Sequence, residues 1–192
     1  MDNLILGRYT RRGLWSLFLM CVLPLHLWTL ILAFRDLSWL TDRTNAWDAV
    51  GVLCYGLLFA LLESVVVFLA ASLLGFLTPP RWEPKRRFAV LSIVVLVMSL
   101  WAMVSQLFFL MNVHIPGAII AFLVRSGHPA RLLYAGVLTV VGASFVVPGV
   151  LVVRPGRGTG VMTGLIDRLG LLATFYLVFD VAALVIVVIR NL

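Results

Sequence analysis

The chain alternates long apolar blocks with short segments that contain nearly all of its charged residues. A helix needs about 20 apolar residues to cross a bilayer. The five blocks long enough to do so are 14–34, 49–77, 88–111, 132–153 and 169–189. The pattern therefore predicts an all-α integral membrane protein, in which residues 1–192 form a single domain of five transmembrane helices.

A sixth apolar segment, between Pro116 and Arg125, is too short to span a bilayer. Pro116 suits the first turn of a helix, and Gly127 followed by Pro129 suits its end. The segment is therefore predicted to form a short interfacial helix between the third and fourth spans, lying on the outer membrane surface or dipping into it. An ordinary loop with one helical turn is the alternative interpretation.

The amino-acid composition supports a membrane protein and excludes a large soluble domain. Hydrophobic residues make up 62% of the chain and charged residues 12%, and the mean hydropathy is +1.11. A chain of this length built mostly of apolar blocks has no room for a soluble catalytic domain. The net charge of +7 arises from basic residues beside the spans, so it requires no nucleic-acid partner.

Basic residues are distributed unequally between the two sides of the predicted bundle. Ten lie in the N-terminal tail, the loop at 78–87 and the segment 154–168, whereas five lie on the opposite side. The positive-inside rule then predicts a cell-membrane protein with a cytoplasmic N-terminus and a C-terminus outside. Four basic side chains are expected to contact anionic lipid headgroups on the cytoplasmic side, each contributing on the order of 1 kcal/mol. They are Arg81, Lys85, Arg86 and Arg87.

Two carboxylic acids lie inside apolar blocks, Glu63 in the second and Asp180 in the fifth. A carboxylate at the bilayer centre costs roughly 2.5–3.5 kcal/mol on insertion scales, so each acid needs a partner, a proton or a function. Small residues share the face of Glu63 and would let another helix approach closely. Further polar residues of the spans can converge with the two acids on the bundle interior. They are His26, Ser92, Ser99, Gln106, Ser144 and Tyr176.

Two interpretations of this polar cluster compete. In the first, the acids are protonated or hydrogen-bonded and fix the packing of the helices. In the second, they carry a proton or bind a cationic or polar ligand during transport. A third role, holding a helix of a partner protein, gives the same sequence pattern as the first. Because both acids stand near mid-span, we expect Asp180 to meet Glu63 inside the bundle and the pair to share a proton.

The sequence predicts no catalytic residues, no metal site and no cofactor. It contains neither H-E-x-x-H nor G-x-S-x-G, and His26, His114 and His128 lack the spacing of metal ligands. The stretch "GRGTGVMTG", residues 156–164, has no G-K-[ST] and is predicted to be a flexible connector. No histidine pair faces across the bundle to ligate haem.

The five-span layout, the long second span ending in "LTPPRWEPKRRF" and the short helix in "IPGAIIAFLVRSGHPARLL" resemble a known membrane domain. It is the domain that precedes the extracellular sulfatase-like domain of lipoteichoic acid synthases and related phosphoethanolamine transferases. The resemblance covers the whole chain and is one of layout. Because the sequence stops at Leu192, where the catalytic domain would begin, the family's nucleophile and metal ligands have no positions here. The resemblance implies a membrane scaffold for envelope assembly, working with a separately encoded enzyme.

The sequence as a whole favours a non-catalytic scaffold or partner subunit in a membrane or cell-envelope complex. The alternative is a small proton-coupled transporter that uses Glu63 and Asp180. A membrane enzyme acting on a lipid is disfavoured, because no acid and base lie together at a membrane interface. The expected partners are membrane lipids and another membrane protein.

Overall fold

The computed structural model describes residues 4–5, 9–79, 81–153 and 157–192. Five of the helices in these ranges are long and apolar enough to cross a membrane, namely α1, α3, α4, α6 and α7 as defined below. The protein is therefore an all-α, multi-pass membrane protein. The elements are β1 (Leu4–Ile5), β2 (Tyr9–Thr10), α1 (Arg11–Arg35), α2 (Leu37–Arg43), α3 (Ala46–Leu74), α4 (Pro84–Leu110), α5 (Gly117–Arg125), α6 (Pro129–Val153) and α7 (Arg157–Asn191).

The helices coincide with the five predicted spans and extend beyond most of their ends. A 3₁₀ turn, Gly75–Leu77, completes the long second span after α3. The largest difference is in the last span, because α7 begins at Arg157 rather than near 169. Residues 157–164 are therefore helical, and the prediction of a flexible connector there is wrong; Gly156 lies outside the described residues. Glycine lowers helix propensity by about 1 kcal/mol, but lengthening an existing helix needs no new nucleus.

Local sequence signals explain several helix ends. The Thr10 side chain accepts a hydrogen bond of 3.1 Å from the Gly13 amide at the start of α1. The predicted short helix is confirmed as α5, which follows Pro116 and ends before Gly127 at a φ of 72°. The positive φ is one that glycine adopts without a steric penalty. The position of α5 on the membrane surface stays a prediction.

Helix α1 lies at the centre of the bundle, in contact with α3, α4 and α7. The consecutive residues Leu19–Leu23 of α1 are all buried, so this part of the helix is enclosed on every side. Helix α3 also packs on α7, and α4 packs on α6, but α3 and α4 barely touch each other. The separation of α3 from α4 leaves an open groove beside α1.

Side chains join the helices at both ends of the bundle. At the N-terminal end of α1, the Tyr9 hydroxyl donates a 2.5 Å hydrogen bond to the Ser72 carbonyl. At the opposite end, Arg190 donates a 2.7 Å hydrogen bond to the Trp47 carbonyl and forms an ion pair with Asp48. These contacts fix α3 against the chain start at one end and against α7 at the other.

Candidate functional site

Asp180 is paired with His26 in the interior of the bundle. The His26 Nε2 atom lies 2.9 Å from Oδ1 and 3.0 Å from Oδ2 of Asp180. Both residues are buried, with exposed fractions of 0% for His26 and 3% for Asp180. The ring is also held through Nδ1, which lies 2.9 Å from the Val22 carbonyl one turn earlier in α1. The contact joins α1 to α7 at mid-bundle and supplies the partner that an intramembrane acid needs.

The hydrogen-bond partners of His26 limit the charge of the pair. A carbonyl oxygen can only accept, so Nδ1 must carry a proton and donate it to Val22. The bond between Nε2 and Asp180 then contains one proton, held either by the ring or by the carboxyl group. In both cases the pair as a whole has no net charge, which lowers the free-energy cost of burying it in a medium of low dielectric constant.

Tyr176 covers the pair on one side. Its ring is stacked on the His26 ring, with the centroids 5.6 Å apart and the planes inclined by 14°. Tyr176 lies one turn before Asp180 on the same face of α7 and is 9% exposed. Three of the predicted polar residues, His26, Tyr176 and Asp180, thus meet in one place.

Glu63 lies elsewhere, in the lateral groove between α3 and α4. This groove has a volume of about 700 Å³, and α1 forms its floor. The groove is open on one side, because the lining residues Phe59 and Met98 are 65% and 60% exposed. Gln106 and Ser99 of α4 line the groove opposite Glu63. Most of the remaining lining is apolar or small: Gly56, Ala60, Val67, Ala70 and Ala71 on α3, and Val94, Val95, Ala102 and Met103 on α4.

The Glu63 carboxyl group is exposed in the groove and makes no hydrogen bond or ion pair with the described part of the chain. Its neighbour Ser64 points the other way, fully buried, and donates a 2.6 Å hydrogen bond to the Ala60 carbonyl. The predicted stripe of small residues on the Glu63 face is therefore present, but it lines an open space. Within the described ranges, no helix occupies the place that the stripe was expected to pack against.

The expectation that Glu63 and Asp180 meet in one interior cluster is corrected by these positions. At 100° per residue, the groove-lining residues of α1 point on average about 130° away from His26. Helix α1 thus separates the two acids, with Asp180 on its α7 side and Glu63 on its groove side. Gln106 lies with Glu63, and Ser144 of the fourth span instead accepts a 2.9 Å hydrogen bond from Trp101.

The four basic residues expected at lipid headgroups are not equivalent. Arg81 and Lys85 are exposed, and the Arg86 guanidinium lies 4.9 Å above the Trp82 ring centroid. Arg87 is 2% exposed and donates hydrogen bonds to the carbonyls of Pro79 and Trp82, so its expected headgroup contact is wrong. The reason is that carbonyls of the preceding loop take the place of lipid phosphates. Two other basic residues of the same predicted side, Arg8 and Arg154, lie outside the described residues.

Sequence reasoning missed the part that α1 plays in the groove. Trp28 and Thr29 line its floor, and a side chain at Gly56 would meet the Thr29 methyl group at 3.3 Å. Only the relative rotation of α1 and α3 reveals this contact.

Within the described ranges, no three His, Cys, Asp or Glu side chains are grouped to hold a metal ion. No family model, curated protein or solved structure matches this chain.

Proposed function

We propose that this protein is a non-catalytic subunit of a membrane complex and that the groove between α3 and α4 binds a transmembrane helix of a partner protein. The observation that supports this function is the Glu63 carboxyl group, exposed in an otherwise mostly apolar groove. The cell membrane, a cytoplasmic N-terminus and a role in the envelope belong to the same proposal. The resemblance to envelope-polymer synthases stays a prediction.

Glu63 favours a protein helix over a lipid chain as the occupant. A carboxyl group in the bilayer costs roughly 2.5–3.5 kcal/mol when it has no partner, and an acyl chain has no hydrogen-bond donor. A partner helix with a Ser, Thr, Asn, Lys or Arg side chain at the same depth can donate to Glu63. Small residues along the α3 wall allow the backbones to approach closely, as in other membrane helix interfaces.

Photocrosslinking in native membranes tests the proposal. A photoreactive phenylalanine analogue replaces Phe59, which lines the groove, and the same analogue at Phe175 on the exposed face of α7 is the matched control. We expect an adduct at position 59 alone, with the crosslinked peptide in a transmembrane helix that carries a hydrogen-bond donor. Glu63→Gln should keep the adduct because the amide can still accept, whereas Glu63→Leu should abolish it.

Three results would overturn the proposed function. One is an adduct at position 59 formed with lipid only. A second is equal adduct formation at positions 59 and 175, which would indicate unspecific proximity. The third is a proton flux in liposomes that is present in the parent protein and absent in Glu63→Gln, which would establish the proton-coupled transporter instead.

A further inference from the structure

A second cavity, distinct from the groove, lies at the end of the bundle where α1 and α4 begin. We call it the basal cavity; it has a volume of about 620 Å³. Three segments line it, one from the start of α1, one from the start of α4 and one from α7. The lining residues used below are Arg12, Glu83, Lys85, Ser92 and Asp167.

The basal cavity contains balanced charges. Arg12 and Lys85 contribute two positive charges, and Glu83 and Asp167 contribute two negative charges, all on exposed side chains. The start of α4 adds a partial positive charge, and it has no side-chain cap. An anion without a cationic group would be attracted by the two basic side chains and repelled by the two acidic ones. A molecule that carries one negative and one positive group can interact favourably with the basic and the acidic side chains at once.

Ser92 indicates that the basal cavity is built to receive a hydrogen-bonding group. Its side chain is 1% exposed, and its hydroxyl has no hydrogen-bond partner in the described part of the chain. A serine buried inside a helix can donate to the carbonyl four residues earlier, as Ser64 does here. Ser92 lies eight residues into α4, about 12 Å along the helix from Pro84. An acceptor that enters from the charged mouth would therefore meet this hydroxyl at the deep end of the cavity.

We infer that the basal cavity binds one zwitterionic phospholipid, with the phosphodiester at Arg12, Lys85 and the start of α4, and the ammonium at Glu83 and Asp167. An ester oxygen below the headgroup accepts a hydrogen bond from Ser92. A lipid fits the position of the cavity, because α4 becomes apolar immediately beyond its basic first turn and so places its start at headgroup level. This inference is independent of the groove and of the function proposed for it.

Native mass spectrometry of the full chain in detergent tests the inference. Phosphatidylethanolamine and phosphatidylglycerol are titrated separately, and we expect the former to bind more tightly. Arg12→Gln combined with Lys85→Gln should weaken phosphatidylethanolamine binding by about tenfold or more, since two charge-assisted contacts are lost. The matched control is Arg11→Gln combined with Arg131→Gln, which removes the same charge from exposed residues outside the cavity lining and should leave phosphatidylethanolamine binding unchanged.

Two further variants separate recognition from folding. Asp167→Asn should weaken binding of phosphatidylethanolamine but not of phosphatidylglycerol, which has no ammonium. Ser92→Ala should leave the lipid-free melting temperature unchanged or higher, because its hydroxyl has no internal partner, and should reduce the rise in melting temperature that phosphatidylethanolamine produces.

The inference is overturned if the control pair weakens binding as much as the cavity pair, or if the two lipids bind equally in the parent. Unchanged lipid binding by Ser92→Ala would remove the ester contact and with it the proposed pose. The final experiment is a titration with soluble glycerophosphoethanolamine, which carries the same headgroup without acyl chains. If it binds as tightly as the lipid, the ligand is a free molecule and the assignment to a membrane lipid is wrong.

Discussion

Asp180 and Glu63 are both acids in transmembrane helices, yet their surroundings differ. Asp180 shares one proton with His26 in a space closed by Tyr176, so its charge is balanced within the protein. Glu63 faces an open groove and has no hydrogen-bond or ion-pair partner among the described residues. The first arrangement fits a structural role, and the second fits a binding role.

The His26–Asp180 pair predicts energetic coupling between two helices. His26→Phe and Asp180→Leu should each lower the free energy of unfolding by about 1–3 kcal/mol, because each leaves one buried polar group without its partner. The double variant should lose clearly less free energy of unfolding than the two single variants lose together, since neither buried polar group then remains without its partner. Unfolding by SDS in mixed micelles measures all four proteins.

Glu63 supplies the control for this comparison of single and double variants. Glu63→Leu combined with Asp180→Leu should be additive within about 0.5 kcal/mol, because the two acids lie on different sides of α1. Additive losses for His26 and Asp180, or coupling between Glu63 and Asp180, would contradict the placement of the acids described here.

At the scale of whole helices, the approach of α1 to α4 depends on the absence of a side chain at Gly13. A Cβ atom there would lie 1.9 Å from the nearest atom of the Phe88 ring. Phe88 is 7% exposed, and its ring centroid lies 5.8 Å from that of Tyr9, so it has little room to move. Gly170 of α7 faces α1 less tightly, because a Cβ atom there would be 3.4 Å from Leu19.

Gly13→Ala is therefore expected to destabilise the protein. Overpacking costs about 1–3 kcal/mol, which exceeds the gain in helix propensity of at most about 1 kcal/mol. Gly170→Ala is the matched control and should be neutral or slightly stabilising, because it meets only ordinary van der Waals contact. Thermal unfolding in detergent compares the two. Equal melting temperatures for Gly13→Ala and the parent would mean that α1 and α4 do not approach as closely as described.

At the scale of the whole molecule, most of the basic residues of the described chain lie at one end of the bundle. The starts of α1, α4 and α7 all lie there, together with the basal cavity. The ten-to-five distribution of Arg and Lys that the sequence predicts between the two membrane sides favours this end as the cytoplasmic one. The occupants proposed for the groove and for the basal cavity are then of two kinds, a helix within the bilayer and a lipid headgroup at its surface.

Reporter fusions measure this orientation. A reporter fused after Leu192 should be active only outside the cytoplasm, and one inserted within 81–87 only inside it, because the positive-inside bias acts on short loops. The opposite result at either site alone would contradict the five-span topology, and the opposite result at both sites would reverse the orientation. A reversed orientation would also place the basal cavity in the outer leaflet.

The hydrophobic pattern was sufficient to determine the class, the number of long apolar helices and the short α5 helix, because a bilayer imposes the same length requirement on every span. It also identified His26, Glu63, Gln106, Tyr176 and Asp180 as residues that need an explanation. These conclusions depend only on residues that are close in sequence.

The tertiary structure alone decided which of these residues share a site. The rotation of each helix about its axis depends on packing between side chains distant in sequence, and a uniformly apolar helix carries little pattern to reveal that rotation. Packing thus placed Asp180 with His26, turned Glu63 into a groove and buried Arg87 against its own loop. The same packing left Ser92 at the deep end of the basal cavity, where the sequence had shown only a serine within a span.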